Sequence, residues 1–305
     1  MGTLYLCVLF ASLLRITQCA GWCYKSQFSC ENKCSVPSQW LGVAQSCGGK
    51  SQSPINIITK KVTIRSTLTP LKFNGYQDLF HGSITNNGHT VKVGLNGSAV
   101  ISGGELEASY KAMEFHFHWG KKGGPGSEHS IDGEKYPMEM HIVHIKDKYK
   151  TVAEALQDPS GVAVLGILYK DTGNNNQKYD PIIKALANVR HPGNTSALGS
   201  LTLDALIPTL EARSQYFRYM GSLTTPNCTE AVIWTVFENP ILLSKAQLSL
   251  FSELLFRNGM PMVDTFRPIQ PLNDRKVFYS GSHIVPVSTM LVVSTALITF
   301  SNLLE

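Results

Sequence analysis

Short runs in which apolar and polar residues alternate, or in which β-branched and aromatic residues cluster, recur at 89–93, 114–119, 138–145, 162–169 and 231–236. Gly, Asn and Pro separate them, so each run reads as a strand bounded by turns. Helical periodicity is scarcer. It is confined to 180–188, where Asp180 as N-cap precedes Pro181 at the first helical position, and to 244–256, which opens on Ser244. No repeat, low-complexity tract or linker interrupts 21–282, so the pattern predicts one strand-dominated α+β domain with a few short helices.

The two ends break this pattern. An apolar run at 4–14 is followed by Arg15 and the small residues Cys19, Ala20 and Gly21, which predicts a secretory signal peptide over 1–20. Residues 284–304 are apolar and uncharged, and the small-residue cluster Ser280, Gly281, Ser282 precedes them. That arrangement predicts a GPI-attachment propeptide over 283–305 with its attachment residue among those three. A spanning helix is the alternative, but it needs ~20 apolar residues and usually a basic cytosolic flank. The tail contains Pro286 and several hydroxyl residues, and only Glu305 follows it.

Composition narrows the class further. With 43% hydrophobic and 16% charged residues among 305, the chain is an ordinary globular protein rather than a disordered one or a coiled coil. A net charge of +5, dispersed along the chain, offers no patch for nucleic acid. Of seven cysteines, Cys7 and Cys19 fall in the leader, leaving Cys23, Cys30, Cys34, Cys47 and Cys228. Four of these cluster without CxxC spacing, which suits disulfides in an oxidising compartment and leaves one thiol over. Sequons at Asn96, Asn194 and Asn227 fit glycosylation in the same compartment.

The chemistry concentrates in two strands. In Glu114-Phe115-His116-Phe117-His118-Trp119, period two puts Glu114, His116 and His118 on one face and the aromatic residues on the other. In 138–145, Glu139, His141 and Val143 share a face. If the strands pair antiparallel, His116, His118 and His141 converge, and three histidines with an open fourth position describe a catalytic zinc site. His-x-His on a strand also occurs as plain packing, and His81, His144, His191 and His283 read as core or surface groups. Glu139, two residues before the third histidine, can hold that ligand's other N–H. The absence of HExxH disfavours a zincin protease.

These residues lie in segments that resemble the α-carbonic anhydrases across essentially all of 21–279. The resemblance is carried by Gln52-Ser53-Pro54-Ile55-Asn56, Asn87-Gly88-His89, Phe115 through Gly120, Gly126-Ser127-Glu128-His129, Glu139 through Val143, Ala163 through Gly166, Gly221 through Pro226, and Phe266 through Pro271. The leader, extra cysteines and apolar tail are similar to the extracellular, GPI-anchored type IV branch. The fold this implies is a large twisted, mostly antiparallel sheet.

The resemblance implies zinc as cofactor, held by His116, His118 and His141, with Glu139 orienting His141. It implies reversible hydration of carbon dioxide to bicarbonate and a proton at the outer cell surface, zinc hydroxide being the nucleophile. Thr224 and Glu128 form the gatekeeping pair. Val143, Val164, Leu223, Val232 and Trp234 form the apolar wall that receives an apolar gas, with Thr225 beside them. His89 is the proton shuttle, helped by waters that Tyr24, Asn87 and Thr225 order. Glu114 stands where relatives commonly carry Gln, and Lys92 where cytosolic relatives often carry Asn or Gln; Lys92, if close, lowers the shuttle's pKa. Disulfides Cys23–Cys34 and Cys47–Cys228 are implied, with Cys30 either unpaired or competing with Cys34 for Cys23. So are bicarbonate transporters as neighbours and a monomeric state. The alternative is a catalytically silent carbonic-anhydrase-like domain for adhesion or ligand binding. Such domains lose zinc histidines, whereas this chain keeps all three together with Glu128, Glu139 and Thr224.

Overall fold

The computed structural model describes residues 21–28 and 34–281. The leader, the apolar tail, Cys30 and Ser282 lie outside the described residues. Seven strands position the site: β1 (Ser83–Asn86), β2 (Val91–Gly94), β3 (Tyr110–Trp119), β4 (Met138–Lys146), β5 (Val162–Thr172), β6 (Tyr216–Gly221) and β7 (Val232–Phe237). They belong to a thirteen-stranded sheet ordered Thr195–Ala197, β1, β2, β3, β4, β5, β7, β6, Phe278–Tyr279, Thr63–Ile64, with three further short strands off this path. Most pairs are antiparallel. The β5–β7 pair is parallel, as are the contacts of β5 with Ile241–Ser244 and of Phe278–Tyr279 with Thr63–Ile64.

β4 is buried along its whole length, because both faces of the sheet are covered. Phe115, Phe117, Met140, Ile142 and Tyr169 pack into the core on one face, while Val143, Val164, Tyr219, Val232 and Trp234 pack on the other. Burial on both sides means that Glu139, His141 and His144 of this strand are enclosed along with its apolar residues. The helices are peripheral. α1 (Val152–Ala155) is a single turn, and α3 (Lys245–Phe251) is capped by the Ser244 hydroxyl and a Gln247 capping box, ending five residues before the predicted limit. α2 (Asp180–Leu186) starts one residue early, with Tyr179 rather than Asp180 at the N-cap. Asp180 therefore serves as the acidic residue of the first turn, where it complements the helix dipole.

One irregularity was not visible in the pattern. The β3–β4 register slips so that Glu114 faces Val143 but Ala112 faces His144, leaving Met113 as the extra residue of a bulge. N-terminal to it, Tyr110 and Ala112 join Phe115 and Phe117 in one core, although strict alternation puts Ala112 beside Glu114. The bulge lets β3 pack a continuous core at one end and present a polar face at the other.

Cys23 is bonded to Cys34, and Cys47 to Cys228 across 181 residues. In the chain-entropy picture, the second link removes about 5 kcal/mol of unfolded-state freedom, before native strain is subtracted.

His144 sits in the core as a neutral group. Its Nδ1 donates to the Ile142 carbonyl 3.0 Å away, and Nε2 accepts from the Tyr76 hydroxyl at 2.6 Å. Burial lowers its pKa from 6.5 to about 4. A depressed histidine contributes stability above the unfolded pKa and loses it as pH falls from 6.5 through 4, because the unfolded chain binds the proton first. Chemical denaturation of the zinc-free protein at pH 7, 5.5 and 4.5 should reveal this loss, on the order of 3 kcal/mol for His144. In His144→Asn the same pH slope should be shallower by up to one proton. An unaltered slope would show that His144 is not held neutral.

Candidate metal centre and active site

Pairing of β3 with β4 sets His116 directly opposite His141 and His118 opposite Glu139. The four side chains therefore share one face at the centre of the sheet, as antiparallel register requires. The imidazole centroids lie 5.0 Å apart for His116 and His118, 5.3 Å for His116 and His141, and 4.6 Å for His118 and His141.

Each ring has one nitrogen engaged by an acceptor. His116 Nδ1 donates to Glu114 Oε1 at 3.1 Å, His118 Nδ1 to the Thr265 carbonyl at 2.6 Å, and His141 Nε2 to Glu139 Oε1 at 2.8 Å. The proton of each neutral imidazole is therefore on that outer nitrogen, and the lone pair is on the other. His118 Nε2 and His141 Nδ1 face each other at 3.1 Å. Two lone pairs that close repel unless a cation lies between them, and tetrahedral zinc with nitrogen at 2.0–2.1 Å separates its ligands by roughly 3.3 Å. The donor set fits zinc: one ligand atom from each of the three histidines lies within a common 4.8 Å. Burial holds His118 down at about 3, reinforced by His116, and His141 at about 4, reinforced by His118. Both remain available as neutral ligands well below neutral pH.

Glu139 has no exposed surface, yet it is the best-satisfied group in the site. Its Oε1 accepts from His141 Nε2 and from His129 Nδ1 at 2.7 Å, and its Oε2 accepts from the backbone N–H groups of Glu128 and His129, both at 2.8 Å. Burial alone raises such a carboxyl, but His129 and His141 hold Glu139 well below the usual carboxylate range. The His129 Nε2 in turn meets the Tyr219 hydroxyl at 2.6 Å, and that hydroxyl meets Ser53 Oγ at 2.9 Å. On β5, Gly166 pairs with His141, and a Cβ there would come within 3.2 Å of Glu139 Oε1, so the carboxylate occupies the room a side chain would need.

Glu128 is the other fully buried carboxyl. Oε1 accepts from the Arg267 backbone N–H at 2.7 Å. Oε2 lies 3.5 Å from His118 Nε2 and 4.0 Å from His141 Nδ1, without a hydrogen bond of good geometry among the described residues. Burial and nearby Glu139 push its pKa up, against the opposing pull of His141, the Arg267 N–H and the Thr224 hydroxyl beside it. The Arg267 guanidinium ties this segment to Gln52 Oε1 and to the carbonyls of Ser53 and Cys47.

A cavity of about 440 Å³ opens onto the histidines. Val143, Val164, Leu223, Thr224, Thr225 and Trp234 line it with His116 and His141, and Met113 and Val152 complete its apolar wall. Val232, expected in this wall, does not line the cavity and is fully buried in the same apolar cluster as Val143, Val164 and Trp234. His89, Tyr24 and Asn87 lie outside this lining. His89 stacks on Trp22 at 4.0 Å between centroids, and its enclosed Nδ1 has no partner among the described residues. Asn87 Oδ1 accepts the backbone N–H groups of His89 and Thr90, which shapes the loop. Tyr24 is buried, and its backbone N–H donates to Gln27 Oε1. Burial, with Arg257 nearby, lowers His89 to about 4. Lys92 pairs instead with Glu114 at 2.6 Å, so the cation acting on His89 is Arg257. Burial raises Glu114, but the His116 contact and, after it, the Lys92 charge overcome this and lower it to about 2.

Asn96, Asn194 and Asn227 are all exposed. Ser280 is stitched to the sheet, its Oγ accepting from the Tyr216 N–H and donating to the Ser214 carbonyl. His129, Arg267, Thr265 and Arg257 were not singled out by sequence reasoning. His129 and Arg267 lie inside motif segments and could have been found there; Thr265 acts through its carbonyl, which no side-chain pattern reports.

A profile of the eukaryotic-type carbonic anhydrases matches residues 35–281. The chain is 39% identical to carbonic anhydrase 4 of Rattus norvegicus over 90% of its own length and 91% of the relative's. It is 40% identical to carbonic anhydrase 4 of Oryctolagus cuniculus, covering 90% of each. Identity to carbonic anhydrase 7 of Homo sapiens is 41%, over 79% of this chain and 92% of that one. The chain belongs to the carbonic anhydrase family, with carbonate dehydratase as its activity and zinc as its cofactor.

Replacing Glu139 by Gln removes the buried charge but keeps an acceptor, so zinc should dissociate faster by about 10–100-fold. Chelator-competition kinetics would measure it. Gly166→Ala should move dissociation in the same direction by displacing the carboxylate, and wild-type rates in both variants would contradict the role given to Glu139.

Proposed function

We propose that this carbonic anhydrase converts carbon dioxide reversibly to bicarbonate and a proton at the outer face of the plasma membrane, with His89 as proton carrier and a GPI anchor at its C-terminus. The observation that carries the chemical part is the facing pair of imidazole lone pairs, each ring locked by an acceptor, beside an apolar wall. Zinc held by His116, His118 and His141 supplies a Lewis acid that makes water nucleophilic at neutral pH. The chain's own residues then dictate the outcome. Val143, Val164, Leu223 and Trp234 offer carbon dioxide an apolar surface without competing hydrogen bonds. The buried Glu128 carboxylate takes the Thr224 hydroxyl proton in a hydrogen bond, which turns the Thr224 lone pair toward the cavity. A lone pair presented there accepts from a donor and turns away an acceptor, so the orientation of the nucleophile is set before substrate arrives.

His89 is neutral at physiological pH and therefore free to receive a proton. Its seat against Trp22, with Arg257 close by, disfavours the imidazolium, so the carrier passes its proton on readily and fills slowly. In His89→Ala, the maximal hydration rate in weak buffer should fall while zinc content stays at one per chain. Added imidazole should recover much of the loss. A buffer dependence identical to wild type would remove His89 from the proton path.

The anchoring part rests on the small-residue cluster at 280–282 and the uncharged apolar tail beyond it. Among the described residues, no helix is long and apolar enough to cross a membrane. Phosphatidylinositol-specific phospholipase C should release active enzyme from intact cells expressing the full chain. Retention on the membrane after the lipase, with release by a protease cutting near Ser282, would point to a spanning tail.

A further inference from the structure

His116 differs from its two partners in how it is held. The side chains of His118 and His141 are 1% and 2% exposed, whereas His116 is 18% exposed at the cavity wall. The acceptor of His118 is a backbone carbonyl clamped by Trp119, whose N–H donates to Thr265 Oγ1 at 2.9 Å and whose carbonyl accepts the Thr265 N–H at 2.9 Å. The acceptor of His141 is Glu139, fixed by four donors. Glu114, the acceptor of His116, has neither kind of support. Its Oε1 meets His116 alone, and its Oε2 meets no hydrogen bond of good geometry, only the Lys92 ammonium at 2.6 Å.

Strand register explains how Lys92 reaches it. In the β2–β3 pair Lys92 lies opposite His116 and Gly94 opposite Glu114, so Lys92 and Glu114 are diagonal neighbours on the face of the metal ligands. A Cβ at Gly94 would meet nothing within 4 Å, which leaves open space over Glu114 for the lysine to cross. Lys92, Gly94, Glu114 and His116 border one cavity.

We propose that Lys92 is a positioning residue for the metal centre: by pinning the Glu114 carboxylate from the cavity side, it keeps the acceptor of His116 in place and neutralises its charge. Without Lys92, an anionic Glu114 is better solvated turned outward to water than held at 3.1 Å from one neutral imidazole, and His116 loses its orientation. A glutamine at this position needs no such partner, because an amide oxygen accepts from His116 Nδ1 without a charge to neutralise. The coupling is modest, since the Lys92 side chain is 48% exposed and solvent screens the pair.

The inference rests on His116 being a zinc ligand, and zinc stoichiometry of the wild-type enzyme tests that premise separately. Zinc dissociation into excess chelator is the decisive measurement. Lys92→Met should accelerate it by about 3–10-fold, below the range for losing the acceptor outright. Lys92→Arg should restore a near-wild-type rate. In a Glu114→Gln background, Lys92→Met should have no further effect. The melting temperature of the zinc-free protein should be unchanged in Lys92→Met, which separates positioning from general destabilisation. An unchanged or slower dissociation in Lys92→Met, or the same acceleration when it is added to Glu114→Gln, would overturn the proposal.

Discussion

A carboxylate with no water contact is expensive to bury unless every lone pair is answered, and Glu139 is answered four times. The donors come from different places. His141 lies two residues on in the same strand, while Glu128 and His129 belong to the turn after β3, and His129 continues to Tyr219 on β6 and Ser53 in the N-terminal segment. Satisfying one charge thus fixes the position of three separate parts of the chain. It also settles the tautomer of His141, since a proton shared with Glu139 leaves the lone pair on the inner nitrogen. Glu128, next to two donors of this network, is carried to the metal side of the sheet as a consequence.

The two buried carboxyls are pushed apart by their surroundings. Glu139 faces donors only and is held low; Glu128 has one backbone donor and a second oxygen left largely unsatisfied, and burial, with a smaller push from Glu139, raises it. One is locked as a structural anion. The other keeps an oxygen without a hydrogen bond of good geometry among the described residues, so two chemically identical side chains end in different states from burial and neighbours alone.

Much of this could be read from the chain because period two converts sequence directly into faces. Glu114, His116 and His118 on one strand, with Glu139, His141 and Val143 on another, needed only an antiparallel register to meet. The remainder depended on quantities that local sequence does not carry. The bulge at Met113 arises from the register of β3 against β4, and no residue type announces it. The partner of Lys92 depended on which residue of β3 lies diagonal to it, so a lysine three residues from His89 in sequence serves Glu114 instead. Arg257 reaches Gly88 and His89 from a distant loop. The alternation at 138–145 posed the opposite difficulty, since Glu139, His141 and His144 read as polar positions yet all three are fully enclosed.

Ligand support in the metal centre grades from the inside outward. The acceptor of His118 is a backbone carbonyl, that of His141 is a saturated buried anion, and that of His116 meets besides it, among the described residues, only a half-exposed lysine. Rigidity costs little where burial already demands that polar groups be paired, because an unpaired alternative is worse. At the cavity wall that compulsion fades, since Glu114 has an open cavity to turn toward, and orientation must come from a specific partner. The most exposed of the three histidines is therefore the one whose geometry rests on a side chain free to vary, and tuning of the centre by sequence change is easiest there. Changes at Glu139 or Thr265 would have to pass through the packed core, whereas changes at 92 and 114 alter the charge beside the metal without disturbing either hydrophobic layer.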